Sequence, residues 1–169
     1  MRRLEQQAIN LMDLLDKTAP PKLKLSSAGA DLIHGEESCR LTAYQDPGGV
    51  WTIGWGRAHG VQPGQTCSQD QADQWFREDV AEFERMVNAS LRVPVSQRQF
   101  DALVSLTYNG GLKHDLFAAI NSGESQLIIT GQWMRWCKDH LGEMLDGLVH
   151  RRMNEVRSFF SDPWPYPVP

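Results

Sequence analysis

From Ala72 onward the apolar residues recur every three or four positions, at Ala72, Trp75, Phe76, Val80, Phe83, Val87 and Leu91. That spacing is the 3.6-residue repeat of a helix with one buried face. Ser68-Gln-Asp-Gln71 precedes it and reads as a capping box, in which the two side chains satisfy free N–H groups of the first turn. A helix of about twenty residues, on the order of 30 Å long, is predicted, long enough to join two lobes. Its Trp and Phe stripe reads as core rather than as a ligand box. Ser96-Gln-Arg-Gln99 repeats the cap. The apolar face Phe100, Leu103, Val104 and Thr107/Tyr108 follows, and Asn109-Gly110-Gly111 closes that helix with residues that tolerate positive φ. Further helices are predicted over 115–121, over 125–140 with Leu127, Trp133, Trp136 and Cys137 inward, and over 148–160. Upstream, Ser26-Ser27 caps a helix over 28–38 with Leu32 and Ile33 inward. A separate amphipathic helix over 3–17 is ended by Pro20-Pro21.

Between these helices the period changes. Leu41 and Ala43, then Val50-Trp51-Thr52-Ile53, alternate around Pro47-Gly48-Gly49, which is a hairpin signal. Glycines continue a small, tight sheet to about residue 66. The expected architecture is α+β: a small hairpin lobe and a larger helical lobe, joined by the long helix. Three segments are expected: an appendage helix and linker over 1–22, a folded domain over 23–160, and a proline-rich tail over 161–169 that is extended or disordered.

Composition narrows the function. Apolar residues are 41 % and charged residues 22 %, enough for a core and close to the globular average. The net charge of −4 weighs against nucleic acid, whose binders carry basic faces. Five basic against three acidic residues give 1–24 a charge of +2, leaving −6 for the remainder. An anionic polymer would therefore be met by local basic groups, not by the overall field. Cys39, Cys67 and Cys137 match no metal spacing and are odd in number, so they read as reduced thiols of a cytoplasmic protein. No metal or cofactor is expected. Polar residues interrupt the stretch after Met1-Arg2-Arg3, and no apolar run approaches the ~20 residues of a membrane span. A chain made and kept in the cytoplasm without its own export signal is expected.

The chemistry is expected in residues 37–56. Glu37 stands at the end of a predicted helix, Asp46 in a glycine-rich turn and Thr52 on the returning strand. Hydrolysis of a glycosidic bond needs such parts: one carboxylic acid protonates the leaving oxygen, and a second carboxylate activates or orients water. An apolar lobe over Glu37 would favour its protonated form, while a solvated turn keeps Asp46 ionised. Of the neighbours Glu36 and Glu37, adjacent on a helix and ~100° apart, only one can face a cleft. The other is expected to be solvated. His59 lies in the glycine-rich loop and reads as an exposed histidine rather than a catalytic base.

The pattern Glu37-x-x-Arg40-Leu-x-x-Tyr44-x-Asp46, then Thr52-Ile-Gly-x-Gly56, resembles the phage lysozymes of glycoside hydrolase family 24. Phe100-Asp-Ala-Leu-Val-Ser-Leu-Thr-Tyr-Asn-Gly-Gly111 is similar to that family's central helix. Gly147-Leu-Val-His-Arg-Arg-Met-Asn-Glu155 is similar to its C-terminal element. The likeness runs from about residue 24 to 160. It implies a lysozyme fold and hydrolysis of the β-1,4 bond between N-acetylmuramic acid and N-acetylglucosamine in peptidoglycan. It also implies the role of an endolysin, a monomer that waits in the host cytoplasm until a holin opens the membrane to the periplasmic wall. Glu37 matches the family's general acid. Asp46 matches the residue that positions or deprotonates water, and Thr52 the hydroxyl that holds that water. The reaction inverts if the carboxylates leave room for the water. An arginine of the last helix holds the glutamate, and Arg151 and Arg152 are both candidates. The rival reading of that pair is solvated helix charges paired with Glu155. Tyr108 and Asn109 match cleft-lining positions loosely. Two other functions fit the same parts: a virion tail-associated lysozyme, which the helix over 1–22 would suit for docking, and a silent lysozyme-fold binding or structural module. The intact Glu-Asp-Thr set argues against the last.

Overall fold

The computed structural model describes residue 6 and residues 20–46, 48–138 and 141–165. Apart from Gln6, the expected helix over 3–17 lies outside the described residues, as does the end of the tail from residue 166. The described elements are α1 (Ser27–His34), β1 (Arg40–Gln45), β2 (Trp51–Gly54), α2 (Gln69–Ser90), α3 (Gln97–Gly110), α4 (His114–Asn121), α5 (Gln126–Met134) and α6 (Asp146–Phe159). Among them, no helix is long and apolar enough to cross a membrane.

β1 and β2 pair antiparallel, with Tyr44 opposite Thr52 and Gln45 opposite Trp51. The chain then returns along the other edge of β1, where Ala43 N–H donates to Gln65 O and Cys67 N–H to Leu41 O. Between them Ile53 and Arg57 exchange backbone bonds of 2.9 and 3.0 Å around Trp55. Gly54 and Gly56, at φ 65° and 111°, supply the left-handed backbone this reversal needs. Trp55 is thereby set against the helices. Its ring stacks on His34 at 3.8 Å, and its Nε1 donates to Asp73 of α2 at 2.7 Å.

α2 follows its predicted period and buries Ala72, Phe76, Val80 and Val87. Ser68 caps it by accepting from Gln71 N–H, and at Ser96 the reciprocal box is complete. α3 is the centre of the larger lobe. It is buried continuously from Gln99 to Thr107, because α1, α2 and α6 all pack on it. Such burial forces its polar groups into pairs. Asp101 accepts from Ser26 N–H at 3.0 Å, Ser26 Oγ at 2.5 Å and Gln97 Nε2 at 2.9 Å, tying the start of α1 to α3. Gly29 makes that approach possible, since a Cβ there would lie 2.6 Å from Asp101 Cγ.

Three expectations change. α1 ends at His34, not at residue 38. Gly35 is a poor helix former, and the N–H groups of Glu36 and Glu37 both turn back to Ile33 O. α5 ends at Met134 rather than 140. Trp136 N–H bonds back to Trp133 O and Leu145 N–H to Cys137 O, so the helix does not continue beyond Met134. Trp136 is 40 % exposed beyond the helix end and Leu127, in its first turn, is 81 % exposed, while Ile129, Trp133 and Cys137 fill the core. In the tail, Trp164 packs on Phe159 and Phe160, and its Nε1 donates to Glu124 O at 2.9 Å.

Candidate active site

Glu37 stands in the turn between α1 and β1, beyond the last helical residue. Its carboxylate reaches 114 residues along the chain to α6, where Arg151 Nη1 donates to Oε1 at 2.5 Å. Glu36 reaches the same helix, and its Oε1 accepts from Asn154 Nδ2 at 2.8 Å. Arg151 and Asn154 are three apart on α6 and so share a face. Both carboxylates are thus drawn to one helix, and Glu36 is not the solvated neighbour expected. The cover expected over Glu37 is also incomplete, since its side chain is 27 % exposed.

Asp46 opens the hairpin turn. Its Oδ1 accepts from Val50 N–H at 2.8 Å and its carbonyl from Gly49 N–H at 2.8 Å. Gly49, at φ 79°, gives the turn its left-handed residue. One carboxylate oxygen is thereby fixed by the backbone on which Thr52 is also set. Thr52 is buried, and its Oγ1 donates to Val50 O at 3.1 Å. With its proton committed there, the oxygen can only accept from a further partner. Val50 of the hairpin thus anchors both Asp46 and Thr52, while α6 anchors Glu37.

Tyr108, near the end of α3, closes the space between hairpin lobe and helices. Its hydroxyl donates to Trp55 O at 2.6 Å. Burial pushes the phenol well above its usual range, and the nearby Glu37 charge adds to the shift. Asn109, one residue on, is exposed. Beside Tyr108 lies a cavity of about 210 Å³, lined by Gly56, Arg57, His59, Asp79 and Phe83 among others. Arg57 holds its wall with contacts of 3.2 Å to both Glu78 and Asp79. Burial raises the Asp79 carboxyl despite that arginine. His59 is exposed.

The two arginines separate. Arg151 turns to Glu37. Arg152 turns inward, with Nη2 donating to Glu155 Oε1 at 2.8 Å and Nε lying 2.7 Å from Oε2. Neither is a solvated helix charge, since they are 4 % and 1 % exposed. Sequence reasoning did not find the rest of this cluster. Glu155 also accepts from Ser105 Oγ of α3 and Trp133 Nε1 of α5. Neither a 3.6-residue period nor an i,i+4 pairing links those positions, which meet only when three helices pack. Among the described residues, no group of three or more His, Cys, Asp or Glu side chains is placed to hold a metal ion.

Residues 34–155 match the family model described as phage lysozyme, a span that takes in every group above from Glu37 to Glu155. The chain belongs to the phage lysozyme family. The endolysin of Acyrthosiphon pisum secondary endosymbiont phage 1 is 34 % identical over 146 residues, covering 82 % of this chain and 99 % of that one. The endolysin of Bacillus phage PZA is 38 % identical over 82 % of this chain, which spans only 56 % of that longer protein. Among solved structures, the muramidase domain of SpmX from Asticaccaulis excentricus has a TM-score of 0.73 at 31 % identity, covering 80 % of this chain and 97 % of that one. The hairpin lobe, long helix and helical lobe of this phage lysozyme are thus those of the lysozyme fold.

Proposed function

We propose that this chain is a phage endolysin that hydrolyses the β-1,4 bond between N-acetylmuramic acid and N-acetylglucosamine, with Glu37 as general acid. The observation that carries the reading is the contact of Glu37 with Arg151, inside a family match that also spans Asp46 and Thr52. Glu37 gives its proton to the glycosidic oxygen as that bond breaks. Asp46 takes a proton from water as it attacks the anomeric carbon from the opposite face. Thr52 holds that water through its oxygen, and Arg151 fixes the aim of the Glu37 carboxyl. A water between two carboxylates inverts the anomeric centre. Tyr108 lines the glycan cleft, with Asn109 at its rim. Proton NMR of the first products from soluble glycan strands tests this, with the new reducing ends expected as the α-anomer. A β-anomer would assign Asp46 to attack on carbon instead.

The enzyme acts as a monomer on glycan strands, and no nucleic acid partner belongs to the reading. It waits in the host cytoplasm and reaches the periplasmic wall after a holin opens the membrane.

The catalytic unit is assigned to 23–160, with 1–22 as an appendage and 161–169 as a tail. Leu23 and Leu25 already bind α2, through Asn88 at 3.0 Å and Glu84 at 2.7 Å. A chain beginning at residue 23 keeps those bonds and is expected to retain most of its peptidoglycan hydrolysis, read by turbidity decay of chloroform-treated Gram-negative cells. A folded but inactive 23–169 chain would refute this division.

A further inference from the structure

Glu155 is a carboxylate with no solvent exposure. Taking such a charge out of water costs several kcal/mol, and an apolar side chain of similar volume is often as stable or more so. Stability alone therefore gives no account of it. Its surroundings do. Ser105 Oγ, Trp133 Nε1 and Arg152 approach at 2.7 to 2.9 Å from α3, α5 and its own helix. These contacts hold the carboxylate still. Arg151 then stands between two carboxylates, with Nε 3.4 Å from Glu155 Oε1 and Nη1 2.5 Å from Glu37 Oε1. Its Nη2 is buried without a hydrogen-bond partner among the described residues. The plane of this guanidinium is thus set by Glu155 at one corner and Glu37 at another.

We propose that Glu155 is a positioning residue that braces Arg151, and through Arg151 fixes the carboxyl of Glu37 for proton transfer. The proposal rests on the reading of Glu37 as the acid. Without the brace, Arg151 is held, among the described residues, only by the group it is meant to aim, and turns about its own side-chain bonds. Displacing a catalytic group by about 1 Å can cost on the order of a hundredfold in rate.

The test is a cycle of R151A, E155Q and R151A/E155Q, with kcat and KM measured on soluble glycan strands. E155Q is expected to lower kcat about ten- to hundredfold, with KM within about twofold. R151A/E155Q should be no slower than R151A, because the brace has nothing left to hold. Losses that multiply in the double variant, or an unchanged kcat in E155Q, would overturn the proposal. E155Q also strips Arg152 of its carboxylate. If it does not fold, R152M/E155Q is compared with R152M, so that no unpaired cation remains in the core. A tenfold or larger drop in kcat between that pair supports the brace, and equal values overturn it. E37Q, run alongside, separates the two readings. Wild-type rate in E37Q would remove the acid itself, whereas an inactive E37Q with multiplying losses would remove only the brace.

Discussion

Replacing Glu37 with glutamine is expected to lower the lytic rate at least a hundredfold while the chain stays folded. General acid catalysis typically contributes about 10²–10⁴-fold, and an amide has no proton of suitable acidity to give. The glutamine oxygen can still accept from Arg151, which donates to Glu37 at 2.5 Å. An ion pair becomes a bond from a cation to a neutral amide, at a cost of about 1 kcal/mol. Glu36→Gln is the matched control. Its oxygen keeps the bond from Asn154, so its rate should stay within about threefold of wild type. Turbidity decay of cell walls for both variants, with circular dichroism melts, reads the comparison. The reverse ranking would put the acid one residue earlier and break the register with Asp46 and Thr52.

Thr52→Val should separate activity from folding almost as widely. The valine keeps the shape and strand preference of a buried position paired with Tyr44. It loses the bond to Val50 O, worth about 1 kcal/mol, or ~2–4 °C in Tm for a chain of this size. If the threonine oxygen holds the attacking water, kcat falls at least about tenfold, the scale of a misplaced reactant. A variant whose activity falls only in step with its melting temperature would make Thr52 a structural residue.

Glu37 precedes β1 and takes its partner from α6, 114 residues away, whereas Asp46 and Thr52 were placeable from sequence because one short hairpin carries both. The long helix was legible for a similar reason, since a single apolar face ran its whole length. What failed was what depends on packing. Leu127 and Trp136 fit a helical stripe, yet Leu127 lies in the first turn of α5 facing outward, and α5 stops at Met134 before it reaches Trp136. Glu36 looked like a free surface carboxylate until α6 supplied Asn154. Arg151 and Arg152 are adjacent and chemically equal, so only the direction each takes from the helix axis tells them apart. Glu155, four residues after Arg151, had the spacing of an exposed ion pair. Its burial comes from Ser105 and Trp133, 50 and 22 residues away.

The most direct test of the account is the identity of the sugar at each new reducing end. Purified peptidoglycan is digested with the wild-type chain and with Glu37→Gln, then reduced with borohydride and hydrolysed. Muramidase action through Glu37 predicts muramitol from the wild-type digest and none above background from the variant. Glucosaminitol in place of muramitol, or equal muramitol from both proteins, would contradict it.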